Sequence, residues 1–329
     1  MPGFFNEDWL ISSPDYSAVM ESTVLPELDR IRNDCLIQGK NSMPLFTSVF
    51  KADHPAGTVL ILHGFTENSF KYSELIYSFV RSGLSVVIYD QRGHGRSGRA
   101  ENLPDPSVTH VDCFEDYVDD LRIVCDTLLC DMPKPWTLFA HSMGGAVASL
   151  FLEKYHDVFS AASLCAPMIA PNINGVPAGV ASALCRFFCG IGKARSFPFF
   201  MKPYSGPEDF NTSCATDPVR FAWYNRIKDS HIEYRNSIPS YRWVQESVSV
   251  TRKILAQGAP ESINCPVLLS SADQDFSVLP EPQKSFIDRI PNGERIFVES
   301  SRHEIFRSVN EVLFPWWHTV LLFLKGVKA

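Results

Sequence analysis

The sequence predicts an α/β fold, with a mostly parallel central sheet and helices on both faces. Short, almost wholly apolar runs recur along the chain, and segments with apolar residues at helical spacing separate them. Apolar runs of this kind are typical of strands buried on both faces. The alternation stops between residues 171 and 262, where proline, glycine and aromatic residues favour short helices and loops. We therefore predict a core of residues 1–170 and 263–329, with an inserted helical cap at 171–262.

The elements can be assigned in order along the chain. Residues 1–40 have apolar residues at helical spacing in a polar background, which predicts a helical arm. The run at 45–50 alternates loosely and predicts a partly exposed strand. The other runs that predict strands are 58–62, 85–89, 136–140, 159–166, 266–271 and 295–299. The segments that predict helices are 71–81, 114–130, 143–155 and 312–324.

Composition excludes several classes of protein. The chain has 329 residues, 45% of them hydrophobic, which suits one α/β domain with an insertion. Its formal net charge of −7 argues against nucleic acid as the main partner. The nine cysteines include no C-x-x-C pair, so we expect reduced thiols in a cytosol. Cys185 and Cys189 are four residues apart, and we interpret them as apolar packing rather than as a metal or redox pair.

The termini show no targeting signal. Residues 1–8 lack the basic and apolar regions of a signal peptide, and the apolar run at 319–324 is too short to cross a bilayer. We therefore expect a cytoplasmic protein, either free or peripheral to the inner face of the membrane.

The segment Ala140–Gly145, of sequence AHSMGG, lies between a predicted buried strand and a predicted helix. A serine at such a junction, flanked by small residues, is typical of a nucleophile elbow. Ala140 stands where the common pattern has glycine, and it is small enough for the tight turn. The alternative is an ordinary junction with a capping serine. We predict that Ser142 is a nucleophile.

A serine nucleophile needs a histidine base, which a carboxylate orients. Of the two histidines after the cap, His318 lies in a predicted helix and His303 in the loop after the last predicted strand, so we choose His303. The acid should follow the preceding strand, where Asp273 comes first and Asp275 is the alternative.

Two backbone N–H groups should stabilise the oxyanion. We assign them to Met143, directly after the nucleophile, and to Phe65, in the loop after an early buried strand. Gly64 would let that backbone approach closely. Arg92 and His94 lie in a glycine-rich turn, and we expect them to brace the turn without a catalytic role.

Together these motifs resemble the lysophospholipase and monoglyceride lipase branch of the α/β-hydrolases. HGF at 63–65 is more similar to the monoglyceride lipases, whereas segments in core and cap are more similar to the bacterial lysophospholipases. The segments that carry the resemblance are AHSMGG at 140–145, HGF at 63–65, DQRGHGRS at 90–97, SAD at 271–273, HEI at 303–305, KYSEL at 71–75, DYVDDL at 116–121 and YRWVQES at 241–247.

The resemblance implies an α/β-hydrolase fold and hydrolysis of a single acyl ester, without a cofactor or metal. Ser142 would form an acyl-enzyme, with Asp273, His303, Phe65 and Met143 in the roles given above. The leading substrate is a lysophospholipid, a small-molecule lipid ester. The alternatives are a monoacylglycerol lipase or general carboxylesterase, a peptidase of the proline-iminopeptidase type, and an inactive binding scaffold.

Residues 178–204 of the predicted cap hold five phenylalanines, four basic residues and no acidic residue. Basic and aromatic residues together suit contact with anionic lipid. We expect the rings to line an acyl pocket, and the cations to add a weak, salt-sensitive attraction to membranes. The alternative is that the rings only pack the cap. The four cations are Arg186, Lys193, Arg195 and Lys202.

Overall fold

The computed structural model describes residues 9–173 and 175–326. Eight strands form the main sheet, in the order β1-β2-β4-β3-β6-β7-β9-β10, and β5 pairs with β8 in a separate small sheet. The strands are β1 (Arg32–Gln38), β2 (Pro44–Phe50), β3 (Gly57–Leu62), β4 (Leu84–Tyr89), β5 (Val108–Thr109), β6 (Trp136–His141), β7 (Ala161–Cys165), β8 (Ile238–Pro239), β9 (Val267–Ala272) and β10 (Gly293–Val298).

The sheet is parallel from β4 to β10, and β2 runs antiparallel to both of its neighbours, β1 and β4. At its centre, Leu60 of β3 lies opposite Val87 of β4 on one side and Leu138 of β6 on the other. All residues of β3 and β4 are buried, as their unbroken apolar runs predict.

Helices cover both faces of the sheet. Leu121 and Phe151 belong to one apolar cluster, and Phe79 and Trp317 belong to the cluster on the other face. The prediction of a mostly parallel sheet between two helical layers is confirmed. The helices are α1 (Tyr16–Val19), α2 (Leu25–Ile31), α3 (Ser73–Arg81), α4 (Glu115–Leu128), α5 (Met143–Lys154), α6 (Ala178–Phe188), α7 (Pro218–Ser230), α8 (Tyr241–Ile254), α9 (Pro280–Ile287) and α10 (Asn310–Leu324).

The N-terminal arm differs from its prediction. It is helical only as far as Ile31, and residues 32–38 form β1, which pairs with β2. The prediction of a helix over 32–40 was wrong because β1 is an edge strand with Ile37 as its one buried residue, so it has no apolar run. Residues 1–8, for which the sequence predicts the start of the arm and no signal peptide, lie outside the described residues.

The segment 171–262 connects β7 to β9, which are adjacent and parallel in the main sheet. It contains α6, α7 and α8, and its strand β8 pairs with β5. A connection that leaves after β7 begins at the carboxyl end of the sheet, where ligand sites of parallel sheets form. This arrangement is consistent with the predicted cap, and its boundaries at 171 and 262 stay a prediction.

Candidate active site

Ser142 occupies a strained turn between β6 and α5. Its backbone has φ 51° and ψ −116°, a conformation that residues other than glycine rarely adopt. Hydrogen bonds hold the turn: Ser142 N donates to the Cys165 carbonyl over 3.1 Å, and the Ser142 carbonyl accepts from Met168 N over 2.8 Å. The backbone is therefore tied to the end of β7 while the hydroxyl remains available for other partners.

The small residues around Ser142 are required by close contacts. A Cβ atom on Gly144 would lie 2.5 Å from the Leu62 carbonyl oxygen, and one on Gly145 would lie 2.5 Å from Cβ of Pro167. A Cβ on Gly64 would lie 3.1 Å from Cβ of Ser142, so the loop after β3 directly approaches the serine. The glycines of the elbow segment thus allow strand, helix and loop to meet at one point.

His303 connects the serine to a carboxylate. Its Nε2 lies 2.8 Å from Ser142 Oγ, and its Nδ1 lies 2.7 Å from Asp275 Oδ2. The side chains of His303 and Asp275 are only 6% and 5% exposed. With Nδ1–H donating to the carboxylate, Nε2 is free to accept the serine proton.

The prediction that Asp273 lies beside this histidine was wrong. Asp273 instead accepts hydrogen bonds from the backbone N–H groups of Ser300 and Ser301, at 2.9 and 3.0 Å. Asp273 directly follows β9, and its carboxylate binds the turn after β10. His303 lies in the same loop, two residues after Ser301. The carboxylate that reaches the imidazole of His303 belongs to Asp275, two residues later in the chain.

One carboxylate oxygen of Asp275 binds the backbone of its own loop, and the other contacts His303. Oδ1 accepts from the backbone N–H groups of Ser277 and Val278, at 2.8 and 3.1 Å, which leaves Oδ2 for His303. Burial alone would raise the pKa of Asp275, but the contact with His303 and the hydrogen bonds from the two backbone N–H groups hold it below its usual range. The carboxylate is therefore ionised at neutral pH. Aspartate is a residue type that favours turns of this kind, in which its side chain accepts from the backbone N–H groups two and three residues later, and this preference is the sequence signal for Asp275.

The loop after β3 is held beside the elbow. Gly64 N donates to Glu67 Oε2 over 2.6 Å, and Gln91 N donates to His63 Nε2 over 2.8 Å. The Phe65 ring packs on Trp243 of α8, with centroids 4.0 Å apart. On the other side of the turn, Met143 is the first residue of α5, so its N–H has no acceptor within the helix.

A buried charge network under the site was not predicted. Glu67 accepts hydrogen bonds from Lys71 Nζ at 2.8 Å and Tyr72 Oη at 2.6 Å, and lies 3.1 Å from His141 Nδ1. Lys71 also contacts Glu304, the residue after His303, at 2.5 Å. The network therefore joins the loop after β3 to the loop that carries His303.

Both carboxylates of this network are ionised. Burial would raise the pKa of Glu67, but the charge of Lys71 and the contact with His141 hold it well below its usual range. For Glu304, the charges of Lys71 and Arg307 overcome burial and lower the pKa to about 2. In the sequence, this network shows only as an acidic and a basic residue four positions apart, Glu67 and Lys71. Pairs with this spacing are common on surface helices and do not indicate a buried network.

Arg92 and His94 lie where the sequence places them, in the glycine-rich turn after β4. Arg92 donates to Asp120 at 2.6 Å and to Asp116 at 3.0 Å, which fixes the turn to α4. His94 is buried, and burial holds its pKa well below its usual range. Its Nδ1 lies 3.0 Å from the Arg92 carbonyl. These contacts brace the turn.

Residues 53–310 match the model of the Hydrolase_4 family, described as "Serine aminopeptidase, S33". The chain belongs to this family. It is an esterase-type hydrolase of the lysophospholipase and monoglyceride lipase branch of the α/β-hydrolases, which confirms the resemblance seen in the sequence.

Two curated relatives and one solved structure illustrate the branch. The chain is 29% identical to Lysophospholipase L2 of Escherichia coli (strain K12) over 302 residues, covering 85% of this chain and 84% of that protein. It is 30% identical to the monoacylglycerol lipase of Mycolicibacterium smegmatis over 140 residues, or 42% and 48% of the two chains. A soluble variant of Saccharomyces cerevisiae monoglyceride lipase, in complex with a substrate analog, has the same fold, with a TM-score of 0.70, 17% identity and coverage of 90% and 96%.

Proposed function

We propose that the chain hydrolyses the acyl ester of lysophospholipids through an acyl-enzyme, with Ser142 as nucleophile, His303 as base and Asp275 as the orienting acid. The observation that carries the proposal is the continuous line from Ser142 Oγ through the imidazole to the Asp275 carboxylate, at 2.8 and 2.7 Å. This is the geometry required to activate a serine hydroxyl.

The reaction follows from these contacts. Ser142 Oγ attacks the ester carbonyl while His303 Nε2 takes its proton, and the N–H groups of Phe65 and Met143 stabilise the oxyanion. The ester bond then breaks, and the alcohol leaves with the proton from His303. A water molecule next attacks the acyl-enzyme and gives a proton to the same nitrogen, which releases the fatty acid and regenerates the serine. Asp275 remains ionised and holds Nδ1–H throughout.

The proposed substrate rests on the relatives. Lysophospholipase L2 of Escherichia coli aligns over 84% of its length, so the similarity extends through both core and cap. The alternative is a monoacylglycerol lipase or general carboxylesterase, because the relative from Mycolicibacterium smegmatis and the yeast structure carry the monoacylglycerol and monoglyceride lipase names. For a lysophospholipid and for a monoacylglycerol alike, the cleaved bond is the ester of one acyl chain on glycerol.

A substrate panel and an active-site probe test the proposal. The panel compares a lysophospholipid, monoolein, short p-nitrophenyl esters and a proline anilide, and we expect the highest kcat/KM for the lysophospholipid. A fluorophosphonate should label the wild-type protein, whereas Ser142→Ala should be folded, unlabelled and slower by several orders of magnitude. Labelling that persists in Ser142→Ala would overturn the nucleophile assignment. A preference for the anilide would overturn the substrate class.

We further propose that the cap contacts lipid surfaces through an exposed apolar row. The row consists of Val180, Leu184 and Phe187, which lie on α6 at helical spacing, and Ile191, three residues beyond the end of the helix. Phe187 is 60% exposed. Phe199 and Phe200, beyond the helix, are 78% and 65% exposed. The expectation that the aromatic rings of this segment line a pocket was therefore wrong for Phe187, Phe199 and Phe200.

The remaining faces of α6 support this orientation. Ala181 and Cys185 are buried, and the Phe188 ring stacks on Tyr241 of α8 at 4.3 Å, so the helix is anchored by the side opposite its apolar row. An exposed apolar row beside basic residues is typical of helices that lie in a membrane interface. No helix in the described ranges combines the length and apolar content needed to span a bilayer, so the proposed contact is peripheral.

Vesicle co-sedimentation tests the apolar row. Phe187→Ser/Phe199→Ser should bind vesicles at least about tenfold more weakly than the wild-type protein, because it removes two of the three exposed rings of the segment. The matched control is Leu36→Ser/Phe297→Ser, which changes two exposed apolar residues of the main sheet. Equal binding by the wild-type protein and both variants would overturn the membrane contact.

A second variant tests whether the basic residues of the cap contribute to membrane binding. Lys193, Arg195 and Lys202 form no ion pair with any described residue, and each cation near an anionic surface contributes about 1 kcal/mol to binding. Changing all three to Gln should therefore weaken binding to anionic vesicles at low salt by about tenfold or more. The difference should vanish at high salt, where charges are screened. A triple variant that binds as well as the wild-type protein at low salt would show that the cations do not take part.

A further inference from the structure

A cavity of about 520 Å³ lies between α6, α8 and the chain that follows β7. Most of its wall is apolar, with Ile173, Val176 and Val248 among the lining residues. Two arginines also line it, Arg186 from α6 and Arg252 from α8, and both are exposed. The lining residues include no aspartate or glutamate, although the whole chain carries a net charge of −7.

These two arginines lack the carboxylate partners that Arg220 has. Within the described residues, neither Arg186 nor Arg252 forms an ion pair. By contrast, the buried Arg220 contacts Glu74 at 3.0 Å and Asp217 at 2.9 Å. Two unpaired arginines that line one largely apolar cavity suit a ligand that brings its own negative charge. Phosphate is such a ligand, because its oxygens can accept paired N–H bonds from each guanidinium.

The cavity shares a wall with the loop that carries the acid of the active site. Leu279 N donates to the Ala170 carbonyl at 3.0 Å, and Leu279 and Ala170 both line the cavity. The residue before Leu279, Val278, donates its N–H to Asp275 Oδ1 at 3.1 Å. One residue, Val278, and one hydrogen bond therefore separate Leu279 in the cavity wall from the Asp275 carboxylate.

The cavity is also close to the nucleophile. Met168 N donates to the Ser142 carbonyl over 2.8 Å, and Ala170 follows two residues later. Two residues of chain span at most about 7 Å, so Ala170 lies no more than about 10 Å from the Ser142 carbonyl. A lipid whose ester is at Ser142 could extend its polar group over this distance.

We propose that this cavity binds the phosphate-bearing head group of the substrate, with the phosphate between Arg186 and Arg252 and the ester carbonyl at Ser142. The inference rests on the proposed function and makes it more specific. It assigns the site to anionic glycerophospholipids with one acyl chain, in preference to neutral monoacylglycerols, which have no charge to offer the two guanidiniums.

The test compares two substrates that differ only in the head group. Lysophosphatidylglycerol and monoacylglycerol with the same short acyl chain are used below their aggregation concentrations, so that binding to lipid surfaces does not contribute. For Arg186→Gln/Arg252→Gln, the ratio of kcat/KM for lysophosphatidylglycerol to that for monoacylglycerol should fall at least about tenfold, mainly through KM, because two charge-assisted contacts are lost.

Two control variants accompany this test. Arg30→Gln/Lys51→Gln removes two exposed cations far along the chain from the cavity and should leave the ratio unchanged. Arg252→Lys keeps the charge but not the planar group, and should lose less than Arg252→Gln. An unchanged ratio in Arg186→Gln/Arg252→Gln, or an equal fall in Arg30→Gln/Lys51→Gln, would overturn the inference.

Binding measurements separate this inference from the proposed function. Calorimetry with lysophosphatidylglycerol uses Ser142→Ala, with and without the two arginine substitutions, and needs no turnover. We expect binding to Ser142→Ala that weakens at least about tenfold when both arginines are replaced. If the wild-type protein binds but does not cleave this lipid, the proposed function fails and the cavity assignment stands. If inorganic phosphate requires both arginines for binding and the lipid does not, the cavity takes free phosphate and the inference fails.

Discussion

Replacing Asp275 by asparagine should abolish most of the activity while leaving the fold intact. The amide oxygen of the new side chain could still accept the N–H groups of Ser277 and Val278, which Asp275 Oδ1 accepts at 2.8 and 3.1 Å. The amide NH₂ would then face His303 Nδ1, where Oδ2 now lies at 2.7 Å. An NH₂ group at this position favours the tautomer that carries its proton on Nε2, which cannot accept the proton of Ser142.

The expected size of the effect follows from this tautomer. A serine hydrolase whose acid is changed to the amide loses about 10⁴-fold in kcat, which corresponds to about 5.4 kcal/mol in the activation barrier. The matched control is Asp273→Asn, two residues away. Asp273 is exposed and binds Ser300 N and Ser301 N, so its amide should lose one backbone hydrogen bond and about 1 kcal/mol of stability. Its activity should change by only a few fold.

Both variants are assayed for hydrolysis of a short p-nitrophenyl ester and for the rate of fluorophosphonate labelling. Thermal unfolding of each variant shows whether a loss of activity reflects a loss of fold. A large loss in Asp273→Asn together with near-normal activity in Asp275→Asn would refute the assignment. Equal, small losses in both variants would show that His303 does not depend on either carboxylate.

Two further predictions concern stability. Glu304→Gln leaves Lys71 and Arg307 without their shared carboxylate and should lower the free energy of unfolding at pH 7 by about 3–5 kcal/mol, as measured by denaturant titration. Because the pKa of Glu304 is about 2 in the folded protein and ordinary in the unfolded chain, its contribution is complete above about pH 4.5. The difference between wild type and variant should therefore shrink as the pH falls towards 2, and a constant difference would contradict this reasoning. Gly144→Ala should unfold at a markedly lower temperature, because its Cβ would lie 2.5 Å from the Leu62 carbonyl oxygen, whereas Gly179→Ala, with open space around its Cβ, should not.

The central strands and the elbow could be predicted because their signals are local. Strands buried on both faces must be apolar along their length, as at 57–62 and 84–89, and this shows in any short window of sequence. The same reasoning missed β1, because an edge strand can be polar at nearly every position. The nucleophile segment likewise carries its turn, its small residues and its serine within six positions.

The other parts of the site depend on how distant segments meet. Whether Asp273 or Asp275 contacts His303 depends on where the loop after β9 turns towards the histidine. The order of residues in the loop does not by itself fix the position of that turn. The contact between Lys71 and Glu304 joins residues 233 positions apart. No window of sequence contains both, so the network could not be inferred from periodicity or spacing.

The buried network under the site also limits how this scaffold can be changed. Glu67, Lys71, Glu304 and Arg307 contribute two negative and two positive charges, so the set is neutral only when it is complete. A single replacement leaves an uncompensated charge in the interior. In engineering or in evolutionary drift, the four positions are therefore expected to be inherited together. We expect changes of substrate preference to arise at residues such as those of α6, whose exposed side chains can vary without changing the net charge of the buried network.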